Sequence, residues 1–479
     1  MHEPRPSVEF PLVYRGEGEL RNGTVVIPVK SVVVERAKYR PDLPWAIHMR
    51  IGECSAADLN AMLRGDERPD FDGVADDGRR LLIRGFQWRK QSRGTLEGES
   101  TEVSRGVVPL PVVPDALYLT ARVTDNNVSL PRAAFRIPQK DGGWKAKDHY
   151  PATYITTRLG KLELWNGDTR EKVTVGGRES DVEVATTFLR LTATKQRRRI
   201  PLPKLVEQLR GELDDICLFF TYVSRRQVGW HHLGIAARWN GEQGAGFHEA
   251  DLWQGAPEPE SGRSRHGILI IPRMPPGALN AMYQRFKASP YKELLGRVAL
   301  YLGAAAQERY IESQTLYAFT AFEALVNGLE ALAPPFVMDK AAFRRFRSKS
   351  EAALKVMGQE GTLSASQVKD IRGKLGELHR RPFLTRATEV IQALGVQWEN
   401  LWPGMPDLEK GLRASYNRRS TFVHAGHLVD PGASLRDAMR MVCLAERIIY
   451  ALLEGNPDWW SPIDDGSRHL RKHDVPAGR

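Results

Sequence analysis

Up to about residue 275 the apolar positions of this chain come in short β-branched runs. Beyond it they recur at three- and four-residue steps. The runs at 23–29, 31–35, 45–51, 80–86, 116–123, 154–159, 182–191 and 216–223 alternate or stay apolar over five to ten residues, and Gly, Pro, Asn or Asp bound them. That punctuation predicts antiparallel strands in a sheet or sandwich. Two short helices are predicted to interrupt, at 55–64 with Ser55 as cap and at 201–213. The Gly-, Pro-, Ser- and Glu-rich stretch 242–264 predicts an exposed loop.

From Pro275 the pattern is helical. Within 276–333, Leu316, Phe319, Phe322, Leu325, Val326 and Leu329 form one apolar stripe, ended by Pro334-Pro335. Further helices are predicted at 339–358, 364–378, 384–394 and 408–419. A last one starts at Asp430-Pro431, a cap followed by proline at the first helical position. The expected fold class is α+β: a β-rich region over 1–275, with room for two subdomains, then an all-α bundle of five or six helices over 285–455. A basic tail follows at 456–479, and the boundary is placed between 275 and 290.

Composition changes this picture in one respect. Hydrophobic residues make up 42% and charged residues 27% of 479 positions, enough apolar mass for two or three packed cores. The net charge of +11 favours anionic partners, nucleic acid above all. Cys54, Cys217 and Cys443 are far apart and odd in number, which argues against a disulfide framework or a zinc site and predicts reduced, buried thiols. No secretion signal and no membrane-spanning run is visible, so a cytoplasmic protein with no membrane partner is expected. There is no P-loop, no Rossmann glycine pattern, no H-E-x-x-H and no G-x-S-x-G, and those chemistries lack support.

Candidate chemistry comes from an arginine and a histidine five residues apart. The spacing occurs three times, at Arg226/His231, Arg419/His424 and Arg468/His473, where about one match is expected by chance in an Arg-rich chain of this length. Arg226/His231 follows a strand and reads as a surface turn, with the adjacent His231 and His232 pointing to opposite faces. Arg468/His473 lies in the short basic tail, which has no apolar support. Arg419/His424 is delivered by a helix with Leu408, Leu412 and Tyr416 on one stripe. Ser420-Thr421 can bond to the backbone and loosen that helix, Phe422 and Val423 are expected to anchor the segment in the core, and Ala425-Gly426 leaves space beside the imidazole. Residues five apart diverge by about 140° in an ideal helix, so a bend after Ser420 is the condition for the pair to converge. The plain structural alternative is a buried histidine satisfied by a carbonyl and an arginine held in a salt bridge.

The segment Tyr416…Arg419-Ser420-x3-His424-Ala-Gly426, with the preceding helix around Tyr317–Leu325 and the closing helix after Asp430-Pro431, resembles the HEPN domain of prokaryotic defence and toxin ribonucleases. The resemblance spans roughly 290–455. A long β-rich region before such a bundle is similar to the ApeA-like class of anti-phage HEPN proteins. It implies a metal-independent endoribonuclease with Arg419 and His424 catalytic, no cofactor, and a homodimer pairing two Arg/His sets through the bundle. A phage-derived trigger would act at the N-terminal region. Ser420 stands where the family commonly has Asn, and Arg418 is a second candidate for the arginine.

The chemistry has its own rationale. RNA carries a 2′-OH beside each phosphodiester, an imidazole can take or give that proton near neutral pH, and a guanidinium binds two phosphate oxygens. Glu323, inside an apolar helical stripe, is read either as an orienter of Arg419 or His424 or as a plain ion-pair partner. The basic runs 195–199 and Arg344, Arg345, Arg347 and Lys349 could grip an RNA backbone, and a solvated face explains them equally. Two other functions stay open: a non-catalytic HEPN-like module for dimerisation or nucleic-acid binding, and an antitoxin-type component or partner that pairs with a nucleotidyl-transferase.

Overall fold

A computed structural model describes residues 12–36, 44–64, 68–92, 94–106, 116–123, 136–138, 144–146, 153–158, 160–175, 178–192, 200–241, 244–254, 277–308, 310–428 and 430–454. The chain divides into two compact units, Met1–Lys287 and Ala288–Arg479, and is α+β with its strands in the first unit. The basic run 195–199, residues 255–264 and the tail with Arg468 and His473 lie outside the described residues.

In the first unit the elements are β1 (Leu12–Asn22), β2 (Val25–Arg36), β3 (Trp45–Ile51), α1 (Ala56–Arg64), β4 (Asp70–Ala75), β5 (Arg80–Arg84), β6 (Gln87–Ser92), β7 (Thr95–Ser100) and β8 (Glu102–Arg105). Then come β9 (Ala116–Val123), β10 (Arg136–Pro138), β11 (Trp144–Ala146), β12 (Thr153–Thr157), β13 (Gly160–Val175) and β14 (Arg178–Thr192). The unit ends with α2 (Leu202–Ser224), β15 (Trp230–Gly241), β16 (Gly244–Trp253) and α3 (Ala278–Ala288). Fourteen of the described strands form one antiparallel sheet in the order β12-β13-β14-β9-β15-β16-β8-β5-β4-β1-β2-β3-β7-β6.

The alternation that predicts β2 is interrupted once, and the structure shows why. Ile27 and Val29 are buried, then Val32, Val34 and Arg36, because a bulge between Val29 and Ser31 moves the inward face by one residue. Leu20, Ile47, Met49, Phe71, Leu81, Ile83, Leu96 and Val103 close the same core. Strands β1 and β4 approach so tightly that a Cβ on Gly16 would sit 2.3 Å from the Val74 carbonyl oxygen, which is why glycine stands there.

Two expectations for this unit are overturned. The apolar run 216–223 is not a strand but the second half of α2. Leu205, Leu209, Leu213, Ile216, Phe220 and Val223 continue one buried helical stripe, and Phe219 packs on Tyr283 and Phe286 of α3. A short apolar run fits a buried strand or a buried helix equally well, and here tertiary packing overrides β propensity. The stretch expected as loop contains β16, which hydrogen-bonds to β15 on one side and β8 on the other. Neighbours on both edges hold a sequence whose composition alone favours a turn. Among the cysteines, Cys217 and Cys443 are buried but Cys54 is exposed.

The second unit holds α4 (Lys292–Gln307), α5 (Ile311–Gly328), α6 (Lys340–Gln359), α7 (Ala365–Lys374), α8 (Phe383–Ala393), α9 (Leu408–Ala425) and α10 (Pro431–Leu452). The long helical pattern over 276–333 is thus three helices, with breaks around Ser289-Pro290 and at 308–310. Side-chain caps set four of the starts. Asp339, Asp407 and Asp430 each accept from a backbone N–H three residues on, and Ser364 forms a reciprocal box with Gln367. Phe319, Phe322, Leu325 and Val326 of α5 and Met441, Leu444, Ile448 and Ile449 of α10 form the centre of this core.

Candidate functional site

Helix α9 carries the candidate residues. Asp407 caps it, and Leu408, Leu412 and Ser415 turn one face inward. Ser415 lies against Asp437 of α10, one of the most buried carboxylates described. The Asp437 oxygens accept from Ser415 Oγ at 2.7 Å, from Arg418 Nε and Nη2 at 2.5 and 2.8 Å, and from Arg440 Nη1 at 3.0 Å. Arg440 also donates to the Leu401 carbonyl at 2.7 Å. The fork-on-fork contact of Arg418 with Asp437 ties α9 to α10.

Arg419 turns to α5. Its Nη1 lies 3.0 Å from Glu323 Oε1 and its Nη2 donates to Oε2 at 3.3 Å, a second two-pronged pair. The guanidinium sits over the rings of Phe319 and Tyr416, 5.5 and 5.9 Å from their centroids. The buried Tyr416 hydroxyl faces the same carboxylate outside strict hydrogen-bonding geometry. Burial pushes the Glu323 carboxyl above its usual range, while Arg419 and Tyr416 pull the other way. Burial, reinforced by Glu323, pushes the Tyr416 phenol well up. Glu323 therefore pairs with Arg419, a contact that fits an orienter of Arg419 and a plain ion-pair partner alike.

The expected bend after Ser420 does not form. Helix α9 runs unbroken to Ala425, and Gly426 closes it in the left-handed region with its N–H on the Phe422 carbonyl. Thr421 Oγ1 donates back to the Asn417 carbonyl, so its hydroxyl is satisfied without opening the helix. Phe422 is half-buried and Val423 is 52% exposed, so this segment is not anchored in the core as the sequence suggested. Ser420 and His424 are exposed. In an unbroken helix Arg419 and His424 point about 140° apart, so α9 presents them on different faces. Arg344, Arg345, Arg347 and Lys349 sit elsewhere, on the exposed surface of α6.

The Arg226/His231 pair is not a surface turn. Arg226, His231 and His232 are all buried, Arg226 in the connection between α2 and β15 and the two histidines at the start of β15. His232 Nε2 lies 3.0 Å from Asp251 Oδ1, and Arg105 holds the other oxygen of Asp251 at 3.1 Å. Burial lowers the pKa of both histidines. Arg36 and Arg122 press the same way, and only for His232 does Asp251 oppose them. Sequence reasoning missed this cluster and the Asp437 hub. For Asp437 a signal existed: a carboxylate followed by Arg440 among apolar residues of a helix, the same clue that singled out Glu323.

Among the described residues no group of three or more His, Cys, Asp or Glu side chains is placed to hold a metal ion, and no helix is long and apolar enough to cross a membrane. No family model, no curated protein and no solved structure matches this chain.

Proposed function

We propose that the helical unit is a HEPN-type, metal-independent endoribonuclease whose site assembles between two copies of α9. The observation that carries this reading is the state of the two groups. Glu323 and two rings hold the Arg419 guanidinium in a fixed orientation while part of it stays open to solvent. His424 stands exposed in the last turn of α9. A straight α9 separates them within one chain, so Arg419 of one copy works with His424 of the other across a two-fold axis. The exposed Val423 beside His424 supplies apolar surface for that contact.

In this mechanism the imidazole takes the proton of the 2′-OH, the 2′-oxygen bonds to phosphorus, and the P–O5′ bond breaks. A second imidazole or water gives a proton to the leaving 5′-oxygen. Arg419 neutralises charge gathering on the non-bridging oxygens. The products are a 2′,3′-cyclic phosphate and a 5′-OH. Anti-phage defence, with a phage-derived trigger sensed by the β-rich unit, is the setting in which such an activity would be held in check.

The test is RNA cleavage in EDTA by the wild type, Arg419→Ala and His424→Ala. Each substitution is expected to lower the rate by about 10²-fold or more. Mixing the two inactive variants is expected to restore activity, because a mixed dimer rebuilds one intact site. Equal rates for all three proteins refute catalysis, and failure of the mixture to recover refutes the shared site. The two-pronged Glu323 contact favours one other reading, in which Arg419 is a neutralised structural residue and the bundle is a dimerisation or nucleic-acid-binding module.

A further inference from the structure

The helical arm formed by α6 and α7 carries a feature that the Arg/His site does not use. The loop after α5 is pinned to the segment before α8 by a short antiparallel contact. Val337 N–H donates to the His379 carbonyl, and Arg381 N–H to the Pro335 carbonyl, both at 2.9 Å. This sets the Phe336 ring on the His379 imidazole, with centroids 4.5 Å apart and planes 16° apart. On the other side of His379 stacks Phe343 of α6, at 4.1 Å and 9°. Phe346, one turn further along α6, continues the column at 6.2 Å and 29°. Four rings thus form a ladder at the surface, and its end members Phe336 and Phe346 are 49% and 38% exposed.

Aromatic rings of this number are normally spent on a core, yet Leu354 is the buried residue of α6. The charge around the ladder says what would cover it. Residues 336–381 contain eleven Lys and Arg against five Asp and Glu. On α6 the helical spacing puts Lys340 and Arg347 on the same face as Phe343, and Lys349 beside Phe346. Arg344, Arg345 and Lys349 are exposed, and Arg347 is paired with Glu351 in the next turn. Flat exposed rings flanked by cations match a single-stranded nucleic acid, whose bases stack on aromatic faces while its phosphates meet Lys and Arg. A protein partner that met this face would have to desolvate the cations.

We propose that the Phe336–His379–Phe343–Phe346 ladder on α6 is a platform for single-stranded RNA, with bases stacking on Phe346 and Phe336 and the phosphates on Lys340 and Lys349. The proposal deepens the ribonuclease reading and rests on RNA being its substrate, since the platform would hold the strand whose linkage is cut. Recognition is by stacking, so the platform is tolerant of sequence and selective against duplexes, in which the bases are already paired and stacked.

The experiment titrates a short fluorescein-labelled oligoadenylate with the full chain carrying His424→Ala, so that binding is read without cleavage. Phe346→Leu keeps an apolar side chain but removes the ring, and is expected to weaken binding about tenfold. Phe346→Tyr is expected to bind as the parent does. Lys340→Gln with Lys349→Gln is expected to flatten the dependence of affinity on salt. Unchanged binding by Phe346→Leu overturns the platform. A change in oligomeric state on Phe346→Leu, with RNA affinity intact, overturns it in favour of a protein-facing surface. Equal binding of a duplex of the same sequence also overturns it. Binding that depends on Phe346 while His424→Ala leaves cleavage unaltered keeps the platform and refutes only the catalytic reading.

Discussion

Replacing Asp437 with alanine removes the carboxylate that three side chains of α9 and α10 share through four hydrogen bonds. Arg440 is 7% exposed, so the loss there leaves a guanidinium with the Leu401 carbonyl and without the Asp437 carboxylate. Arg418 is 39% exposed and turns to water, which discounts its share. Ser415 is fully buried and loses the acceptor of its hydroxyl. Removing one partner of a buried ion pair costs about 3–5 kcal/mol, and with Arg418 rehydrated the expected loss is about 3 kcal/mol. For a unit of this size that corresponds to a fall in Tm of roughly 6–12 °C. Arg418→Ala, which leaves Asp437 its contacts with Arg440 and Ser415, is expected to cost about 1 kcal/mol. The assay is urea unfolding followed by loss of helical circular dichroism for wild type, Asp437→Ala and Arg418→Ala. A loss below about 1 kcal/mol for Asp437→Ala would refute the claim that this hub holds α9 on α10. An Arg418→Ala loss equal to that of Asp437→Ala would show that Arg440 does not share the carboxylate.

The buried histidines of β15 make the first unit acid-sensitive. Their folded pKa values lie below the ordinary value of 6.5, so the unfolded chain binds protons first. Stability is full above pH ~6.5 and falls below it by up to about 1.4 kcal/mol per pH unit for each imidazole. Burial raises the Asp251 carboxyl, but His232 and Arg105 outweigh that and leave it lowered from 3.8, so its own contribution is lost only in stronger acid. His231→Gln is expected to reduce the slope of the urea midpoint between about pH 6.5 and 5, and a flat wild-type profile there would contradict the burial of both rings. Gly426→Ala tests the end of α9. Its φ of 73° costs an L-residue about 1–2 kcal/mol, while an added Cβ would meet nothing within 4 Å. The turn carrying His424 is expected to fray, lowering RNA cleavage several-fold with little change in the global unfolding midpoint. Full activity in this variant would show that the imidazole's position does not depend on the cap.

What the sequence determined by itself was whatever depends on local pattern. The change from period two to period 3.6 near residue 275, the Asp and Ser caps and the Pro431 start are short-range rules, and the helices from α6 to α10 follow them within a few residues, save that α9 runs on to Ala425. The Arg419–Glu323 pairing was foreshadowed because a carboxylate inside an apolar stripe must find a cation. Tertiary structure decided the rest. The run at 216–223 suits a strand until α3 gives Phe219 a helical surface to pack on, and the Gly-rich stretch at 244–253 becomes a strand only because β15 and β8 flank it. Whether α9 bends at Ser420 was equally undecided, since Thr421 can break a helix or bond within it, and it bonds within it. Local preferences of about a kcal/mol are outvoted when many buried contacts act together, and those contacts join residues far apart in the chain.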